Sequence, residues 1–159
     1  MSGFVATPPV APADDPQDSI ANDGWFPDVS VAAVRNASRL DGTVTAQRLR
    51  RALVKAMSSI NRQLGDYKAA QQADGKASLA AVAADDKLDG QPRLVMLYLD
   101  AVMSSAKADL IEHYRDFDAD GSNTSRQQDN APSIDEERRN AQWAVRDILG
   151  QTHIVAELI

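Results

Sequence analysis

The chain has no cysteine among its 159 residues, which excludes disulfide frameworks, zinc ribbons and thiol catalysis. Aromatic residues make up only 5%, and much of the 43% that is hydrophobic is alanine. Because β-sandwiches prefer β-branched and aromatic residues, this composition favours closely packed helices. We therefore expect an all-α fold, a small helical bundle with one short and three longer helices.

Signals for membrane insertion, export and catalysis are also missing. No apolar run approaches the roughly 18 residues that cross a bilayer, and the N-terminus lacks the positively charged start and apolar stretch of a signal peptide. The two histidines have no ligand-spaced partner, and the eight glycines form no phosphate-binding loop. We expect no enzymatic activity, cofactor or membrane partner, and synthesis and assembly in the cytoplasm.

The formal net charge of −6 argues against a general DNA-binding surface, since such surfaces need concentrated positive charge. One basic cluster stands against this balance, in the segment that carries Arg48, Arg50, Arg51 and Lys55. It fits a solvated helix face, a contact with an acidic neighbouring subunit, or a contact with nucleic acid. We take Arg48, Arg51 and Lys55 as partner-contact candidates.

Three regions follow from the distribution of proline and apolar residues. Residues 1–24 form a flexible N-terminal arm, rich in proline, which is disordered or becomes ordered on a partner. Residues 25–150 form the helical bundle domain, and residues 151–159 form an extended tail. The arm has Phe4, Val5 and Ile20 as apolar anchors, and the bundle begins at Trp25 and Phe26, which we add to the partner-contact candidates.

Capping residues and apolar periodicity place the helices. A short helix runs from a cap at Asp28 or Ser30 to about Arg39. One long helix covers residues 45–72, about 42 Å at 1.5 Å per residue, and another covers residues 93–116 with Pro92 at its start. Ser133 and Glu136 form a capping box that opens the last helix, which Gly150 ends. Apolar stripes mark the buried faces of the last three helices: Leu49, Leu53, Met57, Ile60, Leu64 and Tyr67; Leu99, Val102, Ala106, Leu110, Tyr114 and Phe117; Ile134, Ala141, Val145 and Ile148, with Trp143 at the edge.

The connection at residues 73–92 contains two turn signals, Asp-Gly at residues 74–75 and again at 89–90. Three apolar residues within it, Leu79, Val82 and Leu88, are expected to pin it to the bundle.

A candidate calcium loop lies at Asp116, Asp118 and Asp120, which have the spacing of the first ligands of an EF-hand. The twelfth position of such a loop supplies a bidentate carboxylate, and here it is Gln127. A solvated acidic loop is therefore favoured over a metal site, and a calcium-responsive binding module is a lesser alternative.

The C-terminal residues Ile154, Val155, Ala156, Glu157, Leu158 and Ile159 are β-prone and end on two large apolar side chains. A short apolar strand must pack on its own bundle or pair with another chain. Strand addition to a partner supplies backbone hydrogen bonds along its length, and we favour it for this tail.

The order and spacing of many residues between Trp25 and Ile159 resemble the head completion/stabilisation protein (GPL) family of temperate contractile-tailed phages. The resemblance is carried by Trp25, Phe26, Pro27, Asp28, Leu49, Ala52, Asn61, Leu64, Tyr67, Leu79, Val82, Ala84, Asp85, Asp89, Gly90, Tyr98, Ala101, Val102, Leu110, Glu112, Tyr114, Arg115, Ser133, Ile134, Asp135, Trp143, Ala144, Val145, Ile154 and Val155.

The resemblance implies a head-to-tail connector, a structural virion protein at the neck. Such a protein forms a ring, expected to be dodecameric, below the portal protein. It stabilises the DNA-filled head, helps retain the genome, and receives the tail terminator or another neck protein. It implies a helical bundle with extended ends, a C-terminal segment that grips the portal, and packaged DNA in the lumen without sequence specificity. The alternative is a nucleic-acid-binding DNA-packaging accessory that uses Arg48, Arg50, Arg51 and Lys55.

Overall fold

The longest helix organises the fold, and its neighbours pack along its length. The computed structural model describes residues 18–38, 40, 44–118 and 133–153, with the backbone alone for residues 114–118. Within these residues the helices are α1 (Val31–Ala37), α2 (Ala46–Gln63), α3 (Gly65–Ala73), α4 (Leu79–Val82), α5 (Arg93–Asp118) and α6 (Ile134–Ile148). The strands are β1 (Ser19–Ile20), β2 (Val29–Ser30), β3 (Lys87–Leu88) and β4 (Gln91–Pro92).

The prediction of an all-α fold is only partly right. The chain is mostly helical, but β1 pairs with β2 and β3 pairs with β4, each pair antiparallel. The described residues contain six helices where four were expected. Helix α5 packs against both α2 and α6, and one core cluster joins these helices to the N-terminal segment. The C-terminal strand expected from the sequence lies outside the described residues.

The last residues of the predicted arm belong to the folded domain. Ile20 pairs with Val29 and is only 4% exposed. Asp18 accepts a hydrogen bond from the Ser30 hydroxyl at 2.7 Å, and Ser30 in turn caps α1 by accepting from the Ala33 N–H at 3.0 Å. The expected boundary at residue 24 is therefore wrong for residues 18–24. The sequence missed it because two-residue strands carry almost no periodic signal.

The long helix predicted over residues 45–72 is two helices. Its start is as expected, because the Thr45 side chain accepts from the Arg48 N–H at 3.3 Å. The interruption lies at Leu64, whose φ and ψ are −92° and 7°, with Gly65 directly after it. Glycine has low helix propensity, and the side chain of Leu64 is fully buried, so packing at this point overrides helix continuation.

The connection before α5 contains a hairpin that the sequence did not predict. Asp89 and Gly90 both have positive φ, 49° and 75°, as a two-residue turn of the mirror-image type requires. Leu79 is fully buried and Val82 packs against the core, as predicted, but Leu88 is 54% exposed. The expectation that Leu88 pins the connection is wrong, because strand β3 holds it away from the bundle.

The two helices that follow agree closely with the sequence. Helix α5 begins at Arg93 as predicted, with Pro92 in the preceding strand. Tyr98 is its fully buried aromatic residue, whereas Leu99, chosen by periodicity, is only half-buried. The capping box of α6 is confirmed: Glu136 N–H donates to the Ser133 hydroxyl at 3.1 Å, and Ser133 N–H donates to the Glu136 carboxylate at 2.9 Å. Gly150, with φ of 66°, ends α6 as expected.

Helices α2 and α5 run antiparallel. Lys55, near the middle of α2, pairs with Asp109 late in α5. Asn61, near the end of α2, is hydrogen-bonded to Tyr98 early in α5. The β3–β4 hairpin, which directly precedes α5, therefore lies at the end of the bundle where α2 finishes.

Candidate assembly surfaces

Trp25 and Phe26 lie in the core and not on the surface. Each is 3% exposed, and their rings meet edge to face with centroids 4.8 Å apart. The Phe26 ring also stacks on Tyr98 at 5.0 Å. The Trp25 indole N–H donates to the carbonyl of Lys76 at 3.1 Å, which ties the chain before α4 to the same cluster. Because both side chains lie in this chain's own core, we do not include Trp25 and Phe26 in the proposed contact between copies of the chain.

A closed ring of three hydrogen bonds lies beside this aromatic cluster. The Tyr98 hydroxyl donates to Asn61 Oδ1 at 2.6 Å, Asn61 Nδ2 donates to Asn22 Oδ1 at 2.8 Å, and Asn22 Nδ2 donates back to the Tyr98 hydroxyl at 2.8 Å. Burial raises the pKa of Tyr98 to about 12, although the Asn22 hydrogen bond opposes this. The ring fixes the N-terminal segment to α2 and α5.

The Asp23 side chain caps the backbone N–H groups that follow it at the end of the N-terminal segment. Its Oδ1 accepts from the N–H groups of Trp25 at 3.0 Å and Phe26 at 3.1 Å, and its Oδ2 accepts from Lys68 Nζ at 2.7 Å. Partial burial raises the pKa of Asp23, but these three hydrogen bonds outweigh it and lower the pKa below its ordinary value.

Helix α2 carries the strongest charge of one sign among the described helices. Its 18 residues include five cations and no carboxylate: Arg48, Arg50, Arg51, Lys55 and Arg62. The predicted contact residues Arg48, Arg51 and Lys55 are all exposed, and their spacing places them on one side of the helix. Val54 lies among them and is 48% exposed. The structure therefore brings these three candidates together into one basic face, with the exposed Val54 at its edge beside Arg51.

Cations in this segment also contact their own chain. Lys55 pairs with Asp109 of α5, while its side chain stays 66% exposed. Arg50, which lies beside the basic face, donates to the carbonyl of Ser19 at 3.3 Å and so helps hold β1.

The β3–β4 hairpin forms a second exposed feature. Leu88 projects there among Asp85, Asp86 and Asp89, all of them exposed. Asp86 forms a loose ion pair with Arg93 at 3.6 Å. This acidic apolar tip was not recognised from the sequence, although an Asp-Gly turn beside a leucine is the usual signal of an exposed hairpin.

A buried ion pair joins α5 to α6. Lys107 Nζ lies 2.5 Å from Glu137 Oε1, and the side chains are 22% and 5% exposed. Burial of Glu137 was not predicted, because acidic residues in the first turn of a helix are normally exposed to water. Nearby, Arg138 and Glu112 form an exposed pair at 2.8 Å.

The base of the C-terminal tail is fixed to α6. His153 stacks on Trp143 with ring centroids 5.0 Å apart, and its Nε2 lies 2.8 Å from Asp147 Oδ1. The Arg139 guanidinium covers Trp143 at 5.0 Å. The predicted portal-binding residues Ile154 to Ile159 lie outside the described residues, so the structure shows only the position from which they depart.

The side chains of the candidate calcium loop lie outside the described residues, which include the backbone alone of Asp116 and Asp118 and no part of Asp120. Elsewhere in the described residues, no three His, Asp or Glu side chains are grouped to hold a metal ion. No described helix has the length and apolar character needed to cross a membrane.

Two concavities of the described surface have no catalytic grouping. The first is a groove of about 150 Å³ between α2, α5 and α6, and the second is an open depression of about 460 Å³ at the end of α6. Neither is lined by a histidine or a carboxylate, the usual general acids and bases. The lining residues are Ile60, Gln63, Ser105, Arg138, Ala141 and Gln142 in the groove, and Arg146, Gly150, Gln151 and Thr152 in the depression.

Comparison with known proteins gives two findings. The family model for the phage head completion protein (GPL) matches residues 20–159. The chain is 36% identical over 157 residues to a head completion/stabilization protein of Escherichia phage P2, covering 99% of this chain and 90% of that protein. No solved structure gives a significant match.

Proposed function

The chain belongs to the phage head completion protein (GPL) family, and we propose that it is a head-to-tail connector of the virion. In this proposal it assembles as a ring, dodecameric like the portal, below the portal protein at the neck. The ring completes and stabilises the DNA-filled head and receives the tail terminator or another neck protein. Its role is structural, without catalysis, and it is assembled in the host cytoplasm before joining the virion.

The observation that carries this proposal is the extent of the similarity. The match with the phage P2 head completion/stabilization protein runs over nearly the whole of both chains. The matched residues include both the helical core and the C-terminal residues, so both parts of the proposed connector have a counterpart in that protein. The proposed contacts with other proteins use the charged and apolar surfaces of the fold and not a pocket.

We propose that residues Ile154 to Ile159 bind the portal protein as an added strand. The stack of His153 on Trp143 supports this, because it fixes the point at which the tail leaves α6. A tail held at its base loses less conformational entropy on binding than one that swings freely. Packaged DNA would contact the lumen of the ring without sequence specificity, since the net charge of −6 disfavours tight binding.

Changing the tail while sparing its base tests this assignment. A chain that ends at His153 keeps the Trp143 stack and should melt at the same temperature as the full chain. The double variant Leu158→Asp/Ile159→Asp should also melt at the temperature of the full chain. The matched control is Glu157→Gln, which keeps every apolar residue of the tail. Binding to the purified portal ring of the same phage should be lost in the first two and kept in the control. Normal binding by the shortened chain would show that the tail is not the portal-binding segment.

The second candidate function is a DNA-packaging accessory that binds nucleic acid through α2. The five cations on this helix favour it. Binding that depends on phosphate contacts weakens steeply with salt, because counterions are released. Retention on duplex DNA should then fall strongly between low and moderate salt. No retention at low salt, or a flat response, would remove this candidate.

A further inference from the structure

Two large apolar side chains are exposed in the described part of the chain, Val54 on α2 and Leu88 on the β3–β4 hairpin. Val54 is 48% exposed and Leu88 is 54% exposed, while the other large apolar side chains described there are buried or of intermediate exposure. Single exposed apolar residues are common on protein surfaces. These two differ from that background because the charge beside each is mainly of one sign, and the two signs are opposite. Cations of α2 lie beside Val54, one of them paired with Asp109, and aspartates lie beside Leu88, one of them paired with Arg93.

The charges make the two surfaces complementary. Around Val54, helix α2 supplies cations and no carboxylate, with Arg51 and Lys55 nearest in sequence. Around Leu88, the hairpin supplies Asp85, Asp86 and Asp89, with Lys87 as the cation within it. A surface with an apolar centre and a charged rim is the usual arrangement of a protein contact, where the rim sets register and partner choice.

The two surfaces lie far apart on one chain. Helices α2 and α5 are antiparallel, and Lys55, next to Val54, pairs with Asp109, 16 residues after the hairpin joins α5 at Arg93. At 1.5 Å per residue the two surfaces are separated by about 24 Å along the bundle. The hairpin of one copy therefore cannot cover its own α2 face, but it can reach the α2 face of another.

We propose that these surfaces form the seam between neighbouring copies of this chain, with Leu88 of one copy seated against Val54 of the next. The inference rests on the ring described under Proposed function and names its contact residues. A contact between two different surfaces of identical chains is heterologous, and it produces a ring when the rotation closes. A two-fold contact would instead use both pairs of surfaces within one dimer, Leu88 of each copy on Val54 of the other, and assembly would stop at two copies.

Paired cysteines test the seam directly, since the chain has none of its own. In V54C/L88C, each copy can form one disulfide with the copy before it and one with the copy after it. After loading on the portal ring and oxidation with diamide, this variant should give a ladder of linked chains above the dimer on a non-reducing gel. A mixture of V54C and L88C single variants can give no product longer than a dimer. The matched control N140C/L88C, with its other thiol on the exposed face of α6, should give no ladder either.

The results separate the seam from the ring. Full loading on the portal with no ladder beyond the dimer would overturn the seam and leave the ring intact. No loading on the portal by the unmodified chain would overturn the ring, and the seam with it. A ladder of equal length from N140C/L88C would show non-specific linking and would also overturn the assignment of Val54.

A charge-exchange cycle separates a protein partner from nucleic acid. Arg51→Glu and Asp85→Lys each place like charges together at the seam, and each should raise the concentration needed for half-loading about tenfold. The combined variant restores opposite charges and should recover most of that loss. If Arg51→Glu instead weakens DNA retention and Asp85→Lys restores nothing, the α2 face binds nucleic acid and the seam is wrong.

Discussion

The Tyr98 hydroxyl donates a 2.6 Å hydrogen bond to Asn61 Oδ1, joining α5 to α2 across 37 residues of sequence. Asn22 closes the ring from the N-terminal segment, 76 residues from Tyr98. Each of the three side chains both donates and accepts within the ring, so removing one member takes a hydrogen-bond partner from each of the other two. This ring fixes the end of the bundle from which the acidic hairpin projects.

Tyr98→Phe should lower the free energy of unfolding by about 2 kcal/mol at neutral pH, since two partly buried hydrogen bonds are lost. It should also change the response to alkali. The pKa of Tyr98 in the fold is about 12, above the ordinary 10.0, so folding favours the neutral phenol. That contribution is complete below pH 10 and is lost as pH rises from 10 to 12. Urea unfolding at pH 9 and pH 11 should show a smaller difference between the two proteins at pH 11. An unchanged difference would contradict the assigned pKa.

Asp23→Asn should destabilise the fold by about 1 kcal/mol at pH 7, because the Lys68 ion pair and part of the cap are lost. The pKa of Asp23 is lowered in the fold, so its contribution is present above 3.8 and is lost as pH falls further. Thermal unfolding at pH 7 and pH 3 should show the gap between parent and variant closing at the lower pH. Asp85→Asn, on the exposed hairpin, is the control and should show no such gap. A gap that persists at pH 3 would argue against an ionic role for Asp23.

Lys107→Met should destabilise the chain by about 3 kcal/mol, because it leaves the Glu137 carboxylate buried without its partner. Removing both charges in Lys107→Met/Glu137→Met should recover most of the loss, since replacing a buried pair by apolar groups is close to neutral. Arg138→Met breaks the exposed pair with Glu112 and should change stability by no more than about 0.5 kcal/mol. Equal losses for Lys107→Met and Arg138→Met in urea unfolding would show that burial of Glu137 is not the cause.

Two glycine substitutions should have opposite signs. At Gly65 an added Cβ meets nothing within 4 Å and φ is not positive, so Gly65→Ala should stabilise by about 0.5 to 1 kcal/mol. Gly150 also has room, but its φ is 66°, so Gly150→Ala should destabilise by about 1 kcal/mol. Melting temperatures of the two variants check this pair. If Gly65→Ala destabilised the chain, the helix break at Leu64 would be required by side-chain packing and not only by the backbone conformation of Gly65.

The helix boundaries that sequence predicted correctly depend on signals within a few residues. Ser30, Thr45 and the Ser133–Glu136 box all cap the helices expected of them, and Gly150 ends the last one. Each of these is a short-range rule about backbone N–H and C=O groups that a helix end leaves unsatisfied. They hold whatever the tertiary surroundings are.

The remaining features depend on distant partners and could not be read from local pattern. The arm was ended too late because Asn22 finds its partners 39 and 76 residues away. The apolar pair Trp25 and Phe26 was predicted to contact a partner, whereas both side chains lie in the core with the Phe26 ring stacked on Tyr98. The apolar side chain of Leu88 was expected to pin the connection to the bundle, but it lies on a two-residue strand next to a turn of positive φ and is exposed. Burial of this kind is settled by tertiary packing, which overrides propensity.

Native mass spectrometry of the chain mixed with the intact portal ring of its phage measures directly whether copies of this chain assemble on the portal. We expect one dominant complex that carries twelve copies of the chain per portal ring, because the ring is proposed to match the portal. An intact portal ring that carries no copies at saturating concentration would contradict the connector, and the salt dependence of DNA retention would then decide the packaging-accessory alternative.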